Sequence, residues 1–313
     1  MVATSWFALV APPASYAAAP GTSAPATSGR APLLWEVKTT PPVYLFGTIH
    51  LPDPAVVTLA PPVEAAFTSA NAVYLELLLD ADTQMKAGMG SMLPQGQTLK
   101  ALLPETVATR LDTHLQARGL NIGMFAPFHI WAITAQLPLL DHLVELAKGG
   151  ALDSILYKRA IEAGKRVAAL ETVDEQLAAL GDFTRDEQVA LLEATLDEMD
   201  KVAPGKKASD EILAAYLTGD LGALESLMGQ SVDLESALGK KYKAALLDTR
   251  NRRMSARLLP LLKDSARQET VFVAVGALHL VGETGLVNAL EKAGFTLSRV
   301  GATEPALEPA GVR

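Results

Sequence analysis

Residues 43–50 read VYLFGTIH, and residues 272–279 read FVAVGALH. Each copy has four residues of high strand propensity, then a glycine, two small or apolar residues and a histidine. We expect each copy to form a buried strand that delivers His50 or His279 at its end. The glycine three positions before each histidine is expected to allow an unusual backbone turn. Two matched copies, one near each end of the chain, predict that both ends meet at one site.

The segments around both copies are typical of an α/β domain. Predicted strands cover residues 33–37, 43–46, 72–77, 167–170, 271–275 and 296–300. A predicted helix at 61–70 joins two of these strands, and such units favour parallel pairing through a right-handed crossover. Further helices are predicted over residues 100–118, 128–147, 152–163, 184–202, 209–218, 221–228, 234–263 and 283–293. The fold class is therefore α/β, with a central mixed or mostly parallel sheet built from both chain ends and a helical insertion over about residues 100–263.

Composition limits the classes of function. At 313 residues and 49% hydrophobic content, the chain can bury a sizeable core. No run reaches the length of uninterrupted apolar residues needed for a transmembrane span. A formal net charge of −8 argues against nucleic acid as a partner. The absence of cysteine excludes disulfides, thiolate metal sites and a cysteine nucleophile.

The N-terminal thirty residues differ in composition from the rest of the chain. Residues 1–30 are rich in Ala and Pro, and residues 15–19 have the small-residue spacing of a signal-peptidase site. No basic residue precedes Arg30, so a disordered tail is the alternative to a signal segment. We predict one domain at 31–301, a C-terminal tail at 302–313, and a periplasmic or secreted protein; a cytoplasmic location is the alternative.

Four chemically active side chains lie at predicted strand ends: His50, Glu76, Glu171 and His279. In open α/β sheets, ligands bind at the carboxyl ends of the strands. Two imidazoles and two carboxylates form a ligand set suited to a divalent metal ion such as Zn²⁺, Mn²⁺ or Co²⁺. The sequence therefore predicts a metal site at this edge of the sheet.

Each of these residues also has a structural interpretation. A histidine at a strand end is often only a hydrogen-bonded structural residue. Glu76 lies in an apolar run, where a charge is costly unless it is paired or ligated, but the strand end could instead reach solvent. Glu171 precedes Thr172 and two further acids, so it could be an acid at a helix start.

The predicted helix over residues 234–263 carries two further candidates. Asn251 falls on the apolar face formed by Leu247, Met254 and Leu258, and Arg250 borders that face. A buried amide needs hydrogen-bond partners. One hypothesis is that Arg250 or Asn251 reaches the strand-end site to hold a carboxylate or stabilise an oxyanion. The alternative for the arginine is a solvated basic face.

Familiar catalytic motifs are missing from the sequence. It has no G-x-S-x-G, H-E-x-x-H, Walker or G-x-G-x-x-G pattern, which argues against serine hydrolase, zincin and nucleotide-binding functions. The three other histidines, His114, His129 and His142, are interpreted as structural or surface residues.

The ordered set of motifs resembles the TraB/GumN family, which includes the Tiki proteases. The matching segments are LWEV at 34–37, VYLFGTIH at 43–50, AVYLEL at 72–77, ALD at 151–153, GKRV at 164–167, LET at 170–172 with Gln176, TRNRRM at 249–254, and VGALHL at 275–280. The resemblance covers about residues 31–301. One departure is Thr249, where the family pattern leads us to expect an acid.

The resemblance implies a fold shared with erythromycin-esterase-like and haem-binding ChaN-like proteins. For Tiki members it implies a divalent-metal-dependent peptidase acting on peptide or protein substrates. The two family histidines then correspond to His50 and His279, the family acid to Glu76, and the late Arg-Asn pair to Arg250 and Asn251. The GumN branch implies a link to exopolysaccharide genes, so an envelope or polysaccharide component is the alternative partner.

Three functional hypotheses follow. The first is a metal-dependent hydrolase, with a peptidase favoured, in which Glu76 is a ligand or the general base and Glu171 a secondary ligand or orienting acid. The second is a metal-independent, esterase-like hydrolase with a histidine base. The third is a non-enzymatic protein that binds a metal, haem or glycan in the same cleft. The oligomeric state is left open.

Overall fold

The two matched segments lie side by side in a six-stranded sheet. The computed structural model describes residues 32–301, except for the side chains of residues 148–149 and 230–231. The strands are β1 (Leu34–Val37), β2 (Val43–Thr48), β3 (Ala72–Leu75), β4 (Arg166–Ala169), β5 (Val271–Gly276) and β6 (Leu297–Arg299). Their order across the sheet is β4-β3-β5-β2-β1-β6, so the first and last thirds of the sequence supply all strands but β4.

Strand directions bring the predicted site residues to one edge. β2 and β5 pair in parallel, with Thr48 opposite Gly276, and β3 runs parallel to both β5 and β4. β1 is antiparallel to β2 and to β6. The predicted α/β class and mixed sheet are therefore confirmed. Because β2, β3, β4 and β5 share one direction, their carboxyl ends meet at the same edge.

Helices connect these strands, and some of them form a separate apolar core among themselves. The helices are α1 (Pro54–Val57), α2 (Pro61–Ser69), α3 (Ala81–Gly90), α4 (Leu99–Leu102), α5 (Glu105–Gln116), α6 (Ile130–Gln136), α7 (Leu143–Gly149), α8 (Leu152–Glu162), α9 (Val173–Gly181), α10 (Arg185–Asp200), α11 (Asp210–Thr218), α12 (Leu221–Ser231), α13 (Ala237–Lys243), α14 (Thr249–Lys263) and α15 (Leu286–Lys292). Within residues 32–301 there are also three 3-10 segments, Ile122–Phe125, Leu137–His142 and Ala277–His279, and one π-helical segment, Ala244–Asp248.

Three of the long helices predicted from sequence are interrupted. α4 and α5 are separated at Pro104, which lacks the N–H needed to continue a helix. Pro138 lies where α6 passes into a 3-10 segment. The predicted helix 234–263 consists of α13, the π-helical segment Ala244–Asp248 and α14. Helices α1, α3 and α9 were not predicted; each is short, with four, ten and nine residues respectively.

The centre of the sheet is the most deeply buried part of the molecule. All five residues from Val271 to Val275 are inaccessible to solvent, which explains why β5 reads as a continuous apolar run. Phe272 packs edge-on against Phe67 of α2, with ring centroids 5.4 Å apart. Burying a side chain of this size stabilises the fold by roughly 1.5–3 kcal/mol. This packing gives the strand ends a rigid base.

Two predictions concern the chain ends and the membrane. Within residues 32–301, none of the helices is both long and apolar enough to cross a membrane. The signal-like segment predicted at residues 1–30 and the tail predicted at 302–313 lie outside the described residues.

Candidate active site

A cavity of about 50 Å³ lies at the carboxyl ends of the parallel strands. His50, Glu76, Arg250, Gly276 and His279 all line it. The structure therefore brings both G-x-x-H histidines and the strand-end glutamate to one place. The 229 positions that separate His50 from His279 in sequence are bridged by the pairing of β2 with β5.

His50 is oriented by a carboxylate. Its Nδ1 lies 2.7 Å from Oδ2 of Asp153, which is in the first turn of α8. The Thr48 hydroxyl donates to the other carboxylate oxygen at 2.7 Å, so Asp153 itself is fixed. Burial lowers the pKa of His50, but the Asp153 carboxylate outweighs burial and raises it above its usual value. The arrangement leaves Nε2 of His50 as the ring nitrogen without a protein hydrogen bond.

His279 is oriented by an amide. Its Nδ1 lies 2.6 Å from Oδ1 of Asn251, so Nδ1 carries the proton and donates to that oxygen. Its Nε2 lies 3.7 Å from Oε1 of Glu76. Burial, followed by the Arg250 guanidinium, lowers the pKa of His279 to about 3. His279 is therefore a neutral imidazole whose Nε2 lone pair is available to a ligand.

Glu76 follows β3 directly and is 9% exposed, so this strand end does not reach solvent. Its Oε1 accepts the backbone N–H of Gly276 at 2.6 Å, and its Oε2 accepts Nη2 of Arg250 at 2.5 Å. Burial raises the pKa of this carboxyl, but Arg250 together with His279 and His50 brings it down to about 2. Glu76 is therefore an anion anchored at both oxygens.

Arg250 is buried rather than part of a solvated basic face; it is 1% exposed. Its Nε and Nη2 donate to Glu171 at 2.6–3.1 Å, and the same Nη2 reaches Glu76. The Gln176 amide also donates to both carboxylates, at 3.3 and 3.2 Å. Glu171 is fully used by these contacts and does not line the cavity. Its place is the ion-pair network behind Glu76.

The two glycines of the motif matter because they have no side chain, and not because the backbone makes an unusual turn there. Neither Gly47 nor Gly276 has a positive φ, so the turn expected at those positions is not present. A Cβ at Gly47 would lie 3.1 Å from the Cα of Ala277 in the other copy. A Cβ at Gly276 would lie 3.2 Å from Oε1 of Glu76. Glycine lets the two copies and Glu76 approach one another closely.

Two adjacent residues of α14 are both buried beside the site. The π-helical segment Ala244–Asp248 immediately precedes α14, and such segments often occur at functional sites. Arg250 and Asn251 are each 1% exposed, although neighbours in an α-helix differ by about 100° in direction. The amide Nδ2 of Asn251 has no hydrogen-bond partner, while its Oδ1 is held by His279.

The side chains at this site are of the types that bind divalent metal ions, although they are not already arranged around a common metal position. Within residues 32–301, no group of three or more His, Asp or Glu side chains is arranged as metal ligands. Yet Nε2 of His279 and Oε1 of Glu76 are 3.7 Å apart, close to the roughly 3.4 Å between two ligands of a tetrahedral zinc ion. Asp153 and Asn251 hold the far ring nitrogens, as partners of metal-binding histidines commonly do.

The roles of Asp153 and Gln176 are not evident from the sequence alone. Asp153 is an acid in a first helical turn, a position that acids favour in any helix. Asp153 is only 8% exposed because the fold places the start of α8 against Thr48 and His50. Gln176 is on α9, which was not predicted, although Thr172 and Glu175 form a capping box that marks its start.

The sequence of this chain matches a known protein family over most of its length. The model of the TraB/PrgY/gumN family matches residues 33–299, which is most of the chain. The chain belongs to the TraB/PrgY/gumN family. The resemblance noted in the sequence is therefore confirmed at the level of the family.

This TraB/PrgY/gumN protein is similar to Tiki metalloproteases and to an uncharacterized protein. Metalloprotease TIKI1 of Danio rerio is 26% identical over 90% of this chain and 65% of its own length. Metalloprotease TIKI2 of Xenopus tropicalis is 26% identical over 88% of this chain and 61% of its own length. An uncharacterized protein of Treponema pallidum is 23% identical over 83% of this chain and 80% of its own. The chain thus spans less than two thirds of the length of these two Tiki proteins, and no solved structure matches it.

Proposed function

We propose that this chain is a divalent-metal-dependent peptidase with its active site at the 50 Å³ cavity. The observation that carries the proposal is the meeting of His50, His279 and Glu76 in that cavity. The names of the Tiki relatives, which are metalloproteases, support the same reaction class. Peptides or proteins are accordingly the proposed substrates, with Zn²⁺, Mn²⁺ or Co²⁺ as the metal.

The metal would be held by Nε2 of His50, Nε2 of His279 and Oε1 of Glu76. When bound, it supplies Lewis acidity towards the carbonyl of the bond to be cleaved. Both oxygens of Glu76 already accept hydrogen bonds, from Gly276 and Arg250, which favours a ligand over a general base. Asp153 and Asn251 keep the two rings in place.

Arg250 takes a positioning role in this proposal. Its Nε and Nη2 are directed at Glu171 and Glu76, and Nη1 lies 3.4 Å from the Leu246 carbonyl oxygen. These donors are used within the protein, which argues against an oxyanion contact. Asn251 has a free Nδ2, but its Oδ1 is fixed on His279, so its proposed task is to orient that ring. Glu171 is proposed to anchor Arg250 rather than to bind metal.

Peptide cleavage with a supplied metal tests the proposal. The wild-type protein, freed of metal and reloaded with Zn²⁺, Mn²⁺ or Co²⁺, should cleave members of a peptide library followed by mass spectrometry. His279→Ala should abolish cleavage, whereas His114→Ala should not, because His114 pairs with Asp200 on the surface. Cleavage that survives both chelation and His279→Ala would overturn the proposal.

The His50–Asp153 pair favours a second candidate, a metal-independent hydrolase. A histidine held at 2.7 Å by a carboxylate is the usual arrangement of a general base and its orienting group. In that case a chelator would leave hydrolysis of ester or peptide substrates unchanged, while His50→Ala would abolish it. Loss of activity on chelation contradicts this candidate.

Non-enzymatic binding of haem or a glycan is the remaining alternative, and cavity size argues against it. Sites for such ligands typically enclose about 300–1,000 Å³. The cavity at His50 and His279 is about 50 Å³. A Soret band that is lost in His279→Ala would reverse this argument.

A further inference from the structure

A second and larger cavity, of about 540 Å³, lies among the helices. Helices α6, α10, α11 and α12 form most of its wall, with the loop at residues 201–208 along one side. Its interior is mainly apolar, with Trp131, Phe183, Leu191, Leu227 and Met228 among the lining side chains. A cavity of this size and character is typical of a ligand site.

The two cavities share part of their walls. Ile212, Leu224 and Leu278 line both of them. Leu278 immediately precedes His279 in the second G-x-x-H segment. A molecule in the larger cavity therefore lies against the residue next to a proposed metal-binding histidine.

We propose that the larger cavity binds an apolar segment of the peptide substrate, adjacent to the bond that is cleaved. This inference rests on the proposed peptidase function and adds a substrate class to it: peptides with bulky apolar residues beside the cleavage point. The shared wall provides the physical link. A peptide whose apolar side chains fill the larger cavity lies against Leu278, next to the proposed metal-binding residue His279.

The charges around the larger cavity favour a peptide over a lipid. Three basic and three acidic residues contribute to its lining: Lys201, Lys206, Lys207, Glu198, Asp210 and Glu211. A lipid headgroup of one sign would be expected to select a cluster of the opposite sign. The balanced set here offers no such cluster, and Lys201 already pairs with Glu198 at 2.6 Å, so a neutral peptide segment fits better than a charged lipid.

Two hydroxyl oxygens on the wall of the larger cavity can accept hydrogen bonds from the N–H groups of a peptide. The Thr134 hydroxyl donates to the Ile130 carbonyl at 2.8 Å, and the Thr195 hydroxyl donates to the Leu191 carbonyl at 3.0 Å. Each oxygen keeps acceptor capacity after donating. A peptide bound along the cavity could therefore satisfy backbone donors without disrupting either helix.

Calorimetric binding of two short probes tests the inference. The probes are acetyl-Leu-Phe-Leu-amide and acetyl-Ser-Asn-Ser-amide, added to the full-length protein in the presence of EDTA. Burial of the apolar side chains should make the first probe bind at least about tenfold more tightly than the second. Equal affinities would overturn the inference.

Substitutions at the cavity wall localise the binding. Ala214 is an exposed residue of α11 that lines the cavity. Ala214→Trp should therefore fill part of the cavity and lower the affinity for the apolar probe by about tenfold. Ala65→Trp is the matched control, at an exposed position of α2 outside both cavities. Ala203→Trp, in the exposed loop that also lines the cavity, replaces Ala214→Trp if that variant does not fold. An unchanged affinity in the folded wall variant would overturn the inference.

Two further outcomes separate this inference from the proposed function. If the apolar probe binds and Ala214→Trp weakens it, but no library peptide is cleaved, the binding site stands and the peptidase proposal fails. If peptides are cleaved with no preference for apolar residues, the peptidase proposal stands and this inference fails. Tight binding of dodecanoate without binding of the apolar peptide would assign the cavity to a lipid and overturn the inference.

Discussion

Replacing Arg250 with methionine should destabilise the protein far more than replacing a surface arginine. The Arg250 side chain is 2% exposed and lies between Glu76, at 11%, and Glu171, at 0%. Four donor–acceptor contacts of 2.5–3.1 Å join it to these two carboxylates. Arg250→Met keeps much of the apolar stem but leaves two buried anions without their cation. Removing one member of such a network costs about 3–5 kcal/mol.

Arg257 provides a matched control on the same helix. Its side chain is 38% exposed and pairs with Glu175, which is 24% exposed. Solvent screens that pair, so Arg257→Met should cost about 1 kcal/mol or less. Urea unfolding followed by circular dichroism would give both free energies of unfolding. Equal losses for the two variants would refute the claim that the Arg250 network neutralises buried charge.

Two further predictions concern the histidines. Asp153→Asn removes the carboxylate that orients His50, so metal affinity should fall about 10–100-fold in a competition titration; an unchanged affinity would show that His50 is not a ligand. Burial, together with Lys207, lowers the pKa of His142 below its usual value, and its Nε2 bonds to Ser209 at 2.7 Å. Protonation therefore favours the unfolded state, so the stability from His142 is complete above about pH 6.5 and is lost as pH falls below it. In His142→Gln the free energy of unfolding should fall less steeply as the pH is lowered. The same steepness as in the wild-type protein would contradict this assignment.

The strand framework could be predicted because its signals are local. β2 and β5 carry strong strand propensity and end in the same G-x-x-H pattern, and β3 is an apolar run closed by Glu76. Parallel strands place their carboxyl ends together, so the convergence of His50, Glu76 and His279 followed from a general rule of α/β sheets. The cavity they line agrees with that expectation.

The supporting residues were harder to predict because their roles depend on tertiary packing. Glu171 was a candidate metal ligand, but its partner Arg250 is 79 positions away and only the fold brings the two together. Asp153 lies 103 positions from His50 and looked like an ordinary first-turn acid. The larger cavity is formed by separate helices, none of which has a sequence signal for a binding site.

Metal content of the purified protein tests the central claim most directly. After dialysis against Zn²⁺, Mn²⁺ or Co²⁺ and removal of free metal, the wild-type protein should retain about one ion per chain by elemental analysis. His50→Ala, His279→Ala and Glu76→Gln should each lose that ion, while His114→Ala should keep it. A wild-type protein that retains no ion, or equal retention in all variants, would contradict the claim that the two G-x-x-H segments form one metal site with Glu76.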